Sequence, residues 1–227
     1  MARVHNTGKR QAGILIPAFT PRREGDLGIG DTLALKEWID WAAAHGVSFI
    51  QLLPINENGS EESPYSGISS AALDPIYLAF EEGEIPGIRE ADVAKARNEL
   101  RGAVQSPLVD YPHVRAVKRN LLEMAWSRFE NADARLVKEF ATFRKKEADW
   151  LDDYCLFRYL MEVNGESLTW DQWPEKCRTP KGARDYLKAR RKQDAEVTDY
   201  RLGFFAFTQW LCFRQWLALR KHAGERG

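Results

Sequence analysis

Hydrophobic positions along this chain follow a few distinct rhythms, and each predicts a different element. Residues 13–20, Gly-Ile-Leu-Ile-Pro-Ala-Phe-Thr, form a short apolar run bounded by glycine and interrupted by proline, the pattern of a strand buried on both faces. Residues 21–30 are polar and glycine-rich, with Gly25, Gly28 and Gly30, and Asp31 stands where a helix N-cap belongs. From Thr32 to His45, the residues Leu35, Trp38, Ile39 and Ala42 recur at three- and four-residue steps and so share one helical face, and Gly46 is placed to end the helix. A second apolar run, 47–55, follows at once. Strand, helix and strand with short connections predict a βαβ unit, two parallel neighbours joined by a right-handed crossover.

Beyond the second run the pattern turns irregular and polar through residues 56–62, then enters Ser63-Pro64-Tyr65-Ser66-Gly67-Ile68-Ser69-Ser70. This predicts a long structured loop at the carboxyl end of a parallel strand, where α/β folds gather their ligands. From about residue 85 to 202 the periodicity is helical, punctuated by Pro107, Pro112, Pro174 and Pro180, with clear helices expected over 114–129 and 136–164. In the latter, Phe140, Phe143, Trp150, Leu151, Tyr154, Phe157, Leu160 and Met161 mark an apolar face. Residues 204–223 read as a helix too apolar to stand alone in water, and Gly224 to Gly227 read as a turn leading towards a third strand. Three segments result: 1–83, the first strands and helix with the ligand loop; 84–202, a helical insertion; and 203–227, a helix returning to the sheet.

Composition narrows the function classes. The 227 residues are 44% hydrophobic, enough for a substantial core, and 33 basic residues balance 33 acidic ones, so no net field draws the chain to nucleic acid or an anionic membrane. The Lys- and Arg-dense stretch 180–197 reads as a solvated helix face, since only Tyr186 interrupts it as an aromatic. Cys155, Cys177 and Cys212 are odd in number and widely spaced, and His5, His45, His113 and His222 make no triad or ligand set, so neither a disulfide framework nor a metal site is expected. There is no Gly-rich phosphate loop, and no cofactor is implied. No export signal or membrane span is visible, which makes the cytoplasm the expected compartment.

Several motifs, taken in order, carry a resemblance. Gly13-Ile14-Leu15, Gly28-Ile29-Gly30-Asp31, Gln51-Leu52-Leu53-Pro54, Ser63-Pro64-Tyr65, Val109-Asp110-Tyr111 with Val114 and Lys118, Trp150-Leu151-Asp152-Asp153-Tyr154 with Leu156-Phe157, Trp170, Trp173-Pro174 and Phe213-Arg214-Gln215-Trp216 resemble successive motifs of the amylomaltases, the 4-α-glucanotransferases. One departure is visible: the family usually has Asn-Pro after the Ser-Pro-Tyr loop, where this chain has Asp74-Pro75. The resemblance implies an incomplete (β/α)8 TIM barrel, represented by its first βαβ unit, with a large mainly helical insertion. It also implies a retaining transferase that moves α-1,4-linked segments among maltooligosaccharides or starch-derived glucans. Its nucleophile and its general acid/base belong after later barrel strands, beyond Gly227, so the isolated chain is expected to be inactive.

By the same resemblance the substrate-binding set is Tyr65, Ser63, Pro64 and Asp74, with Tyr65 stacking beside the sugar nearest the cleaved bond. Asp26, Asp31, Glu57, Glu61, Glu62 and Asp74 lie near the expected mouth of the barrel, but they are better explained as caps, loop charges and anchors than as a catalytic pair. Trp38, Trp41, Trp126, Trp150, Trp210 and Trp216 fall in helical patterns and read as core. Trp170 and Trp173 either touch glucan at a distance or cap the helical region. Two readings of another class stand beside the enzyme: a non-catalytic module binding glucan or a partner, such as the rest of the barrel, and a gene fragment without independent function.

Overall fold

The structure, a computed structural model, describes residues 11–59, 62–129 and 131–226. His5, Glu61 and Gly227 lie outside the described residues. Two strands, β1 (Gly13–Ile16) and β2 (Phe49–Leu52), pair in parallel with Ile14 opposite Ile50 and Ile16 opposite Leu52. Between them runs α1 (Thr32–Ala44). Helices α2 (Glu90–Glu99), α3 (Arg101–Gln105), α4 (Tyr111–Phe129), α5 (Ala134–Lys146), α6 (Ala148–Val163), α7 (Pro180–Gln193) and α8 (Ala195–Arg226) follow. The described residues are therefore mostly helical, with one small two-stranded parallel sheet among them.

The crossover forms as its local signals dictate. The Asp31 carboxylate accepts the Ala34 N–H at 2.8 Å and caps α1, and Gly46 adopts φ +74° just past its end. Asp31 also accepts from Arg23 Nε at 3.0 Å, which ties the cap to the β1–α1 loop. Gly30 is required by close approach, because a Cβ there would lie 2.4 Å from the Ala18 carbonyl oxygen. Replacing Asp31 by Ala removes the cap and the Arg23 contact together. The expected loss is about 1–2 kcal/mol, read as a lowered urea midpoint with unchanged m value; an unchanged midpoint would contradict the capping role.

Both strands are shorter than the apolar runs 13–20 and 47–55, and they are not buried on both faces. Ile16 and Leu52 pack onto the core, whereas Leu15 and Phe49 on the opposite face are 57% and 49% exposed. Strand side chains alternate, and helices cover this sheet on one side only among the described residues.

The expected helix 136–164 is two helices, broken at Glu147, whose carboxylate accepts the Trp150 indole N–H at 2.9 Å. Phe143 and Trp150, on either side of the break, both meet Phe213 of α8, at ring-centroid distances of 5.4 and 5.6 Å. Helix α8 is longer than the apolar stretch 204–223: it starts at Ala195, so the boundary placed at 202/203 falls inside it, and it continues to Arg226, so residues 224–226 are helical rather than a turn. At that end His222 Nε2 and Arg226 Nε both meet Asp40 of α1, at 2.8 and 2.6 Å. These contacts hold the last turn against the sheet's covering helix.

The core is aromatic. Trp126, Phe129, Phe140, Phe207 and Trp210 pack in stacked, tilted and edge-on pairs, from 4.8 Å for Phe129 with Phe207 to 6.1 Å for Phe140 with Phe207. Trp41, read from sequence as core, is 46% exposed and stacks on His45 at 4.8 Å. It lies beside, not on, the stripe of Leu35, Ile39 and Ala42. The three cysteines are buried and free. No helix among the described residues is long and apolar enough to cross a membrane.

Candidate functional site

The chain leaves β2 at its carboxyl end and folds back on itself as a hairpin-like loop. Antiparallel bridges join Asn56 to Leu73 and Asn58 to Gly67, and between them Glu57 donates its N–H to Ala72 and accepts the Ile68 N–H at 2.8 Å. The tip is a tight turn: the Ser66 N–H donates to the Ser63 carbonyl at 3.1 Å, and the Tyr65 N–H donates to Ser63 Oγ at 3.3 Å. Ser63 is exposed, Pro64 half-buried, and the Tyr65 side chain stands 73% exposed. A large ring held out in water by a bonded turn carries no packing load.

Asp74 is placed differently. It is completely buried, and four protein donors occupy its carboxylate: the Ile76 and Asn58 N–H groups at 3.0 and 3.3 Å, and Arg115 as a two-pronged partner at 2.9 and 2.7 Å. It caps the 3-10 turn Pro75–Tyr77 and faces the protein, so it anchors the loop instead of meeting a ligand directly. The substrate set named from sequence thus divides into an exposed part, Ser63, Pro64 and Tyr65, and a buried anchor. Asp26 and Asp31 are likewise consumed by Arg22 and Arg23.

Residues that sequence reasoning gave no role hold the returning limb of the loop. Gln209 of α8 mimics a peptide group, with Oε1 accepting the Leu73 N–H and Nε2 donating to the Leu73 carbonyl, both at 2.9 Å. Six residues on, Gln215 does the same for Ala79, at 2.9 and 3.0 Å, and its Oε1 also accepts from the Thr32 hydroxyl at 2.7 Å. Lys118 of α4, 2% exposed, donates to the carbonyls of Ile76 and Leu78 at 2.5 and 2.9 Å, and burial pushes its pKa down to about 8. Their signal in the sequence is polarity out of place: two glutamines inside the apolar stretch 204–223, and a lysine among Val114, Val117, Leu121 and Leu122.

Beneath the loop lies a cavity of about 270 Å³, bordered by Asn58, Arg115, Lys118, Tyr154, Arg158 and Phe205. Glu57 reaches into this region, where burial raises its pKa against the opposing pull of Arg158. Trp173 is buried, its indole N–H on the Ser167 carbonyl at 3.1 Å, whereas Trp170 is 53% exposed.

A parallel strand–helix–strand unit followed by a helical layer closed by one long helix is the fold seen in amylomaltases. The amylomaltase of Corynebacterium glutamicum superposes with a TM-score of 0.74 at 20% identity, over 97% of this chain and 29% of that one. The amylomaltase of Streptococcus agalactiae, solved in complex with acarbose, gives 0.74 at 21% identity, over 96% and 42%. The family model for 4-alpha-glucanotransferase matches residues 16–227, and the chain belongs to that family. It is 30% identical over 215 residues to the 4-alpha-glucanotransferase of Chlamydia caviae and 33% identical over 193 residues to that of Thermus thermophilus. It spans 94% and 85% of its own length in those matches but only 38% and 36% of the relatives' length.

Proposed function

We propose that the chain forms the amino-terminal part of a 4-α-glucanotransferase. It would contribute the first βαβ unit of a (β/α)8 barrel, the helical subdomain inserted after it, and one wall of the glucan site. The reaction is a retaining double displacement. A carboxylate attacks the anomeric carbon and forms a glycosyl-enzyme, while a second carboxyl group protonates the departing oxygen and then deprotonates the incoming sugar hydroxyl. Both groups are expected beyond Gly227. This chain's own contribution is recognition: the Tyr65 ring packs on the apolar face of a glucose unit, Ser63 and Pro64 shape the turn beneath it, and Asp74 fixes the loop from inside. The uncovered sheet face with Leu15 and Phe49 is where the remainder of the barrel would seat.

The observation that carries this reading is a tyrosine 73% exposed on a hydrogen-bonded turn, in a chain belonging to a glucanotransferase family. Maltoheptaose binding, measured by calorimetry or affinity electrophoresis, should weaken roughly five- to tenfold on Tyr65→Ala, about 1–1.4 kcal/mol of lost ring contact. The isolated chain should not disproportionate maltotriose. Equal binding by the Tyr65→Ala chain would remove the recognition role, and turnover by the isolated chain would show that the reacting carboxylates lie within it.

A further inference from the structure

One hydroxyl ties both limbs of the Tyr65 loop to the helical layer. The outgoing limb carries Glu57, whose main chain sits between the two bridges and whose side chain, 6% exposed, turns inward to accept the Tyr154 hydroxyl of α6. The returning limb carries Leu73, gripped by Gln209 of α8, and the same Gln209 Nε2 donates to the Tyr154 oxygen at 3.1 Å. Tyr154 is thus a relay, donor to one limb and acceptor from the clamp on the other. Arg158, one turn along α6, brings its Nε within 3.4 Å of Glu57 Oε1, and Arg115 and Asp74 complete the charged surroundings.

Burying a carboxylate is a poor way to gain stability, because desolvation offsets most of what its partners return, and an apolar residue of similar volume would serve a core at least as well. What a satisfied polar network supplies is register. A slip of one residue in this hairpin would turn Glu57 towards water and move the Tyr65 turn to the other face. The Ile68 N–H, three residues past Tyr65, closes on the Glu57 carbonyl, so the tip inherits whatever position Glu57 is given.

We propose that Tyr154 is a positioning residue for glucan recognition, acting through Glu57 and Gln209 to hold the turn that presents Tyr65. The proposal rests on the glucan-site reading of Tyr65 given above. A double-mutant cycle on the full chain with maltoheptaose as probe tests it. Tyr154→Phe keeps the ring and removes the relay. It should lower affinity about three- to tenfold when Tyr65 is present, and change it less than about 1.5-fold in the Tyr65→Ala chain. Amide exchange at Ile68 and Leu73 should accelerate in the same variant.

Equal losses in both backgrounds would overturn the proposal, since a general loss of folding does not depend on Tyr65. Faster exchange without any change in affinity would overturn it too, and would leave the Tyr65 site standing. If Tyr65→Ala alone changes nothing, the glucan-site reading itself fails and takes the proposal with it. Should Tyr154→Phe not fold, Glu57→Gln and Glu57→Met replace it. Gln keeps an acceptor for the tyrosine hydroxyl and should bind within about twofold of the unaltered chain, while Met should reproduce the loss only when Tyr65 is present. Equal affinities for the two would sink the idea.

Discussion

Arg115→Leu should destabilise the chain by about 3–5 kcal/mol, which for a domain of this size is a fall in Tm of roughly 6–20 °C. The expected effect is large because of an asymmetry within the pair. The Arg115 side chain keeps 28% of its surface exposed, but Asp74 has none, so loss of the guanidinium strands a buried carboxylate with only the two main-chain donors of Ile76 and Asn58. The companion variant makes the cause visible. Asp74→Asn in the Arg115→Leu chain still offers an oxygen to the Ile76 N–H but no uncompensated charge, and should restore most of the loss. The family's usual Asn-Pro in place of Asp74-Pro75 gives this test its logic: the acid is tolerable here because an arginine faces it. Chemical denaturation of the two single variants and the double variant decides the matter. Additive losses would refute the pairing.

Lys118 gives the second large effect, expressed as a dependence on pH. Desolvation lowers its pKa from 10.5 to about 8, with Asp31, Asp26 and Asp74 opposing the shift. The folded state therefore releases the proton earlier than the unfolded chain does. Between about pH 8 and 10.5 the unfolded state holds more protons, so stability from this group rises with pH across that window, is fully present above 10.5 and is gone once the pH has fallen to 8. The gap corresponds to roughly 3 kcal/mol. A neutral amine still has N–H groups for the Ile76 and Leu78 carbonyls, so deprotonation removes the buried charge without breaking either bond. Lys118→Met is the reference, because subtracting its stability curve removes every other titration. The difference between the two proteins should climb by about this amount from pH 8 to 10.5, and a flat difference would show that the lysine is not buried as a cation.

Loop positioning runs through both predictions. Arg115 and Lys118 come from α4, Tyr154 from α6, and Gln209 and Gln215 from α8, and all five end on residues 57–79 or their main chain. The helical layer thus has a physical link to the turn that carries Tyr65. Changes in helix packing have a direct route to that ring's position.

The strand–helix–strand order, the Asp31 cap, the Gly46 stop and the polar loop with its serine-proline-tyrosine turn were all legible along the chain, because each is encoded within a few residues by periodicity and backbone preference. Family motifs likewise read linearly. What the linear pattern could not supply was everything depending on partners far away in sequence. Gln209 and Gln215 meet residues 136 positions earlier, and Arg115 meets Asp74 across 41. A glutamine in an apolar helix is an anomaly until the peptide it clamps is known. The same holds for exposure. Alternation announces which strand residues share a face, but only packing decides that Leu15 and Phe49 lie uncovered, that Trp41 sits beside the apolar stripe, and that two helices meeting at Glu147 stand where one was expected. Local chemistry made the elements of this protein. Desolvation of a few polar side chains between distant elements decided where its tyrosine loop would stand.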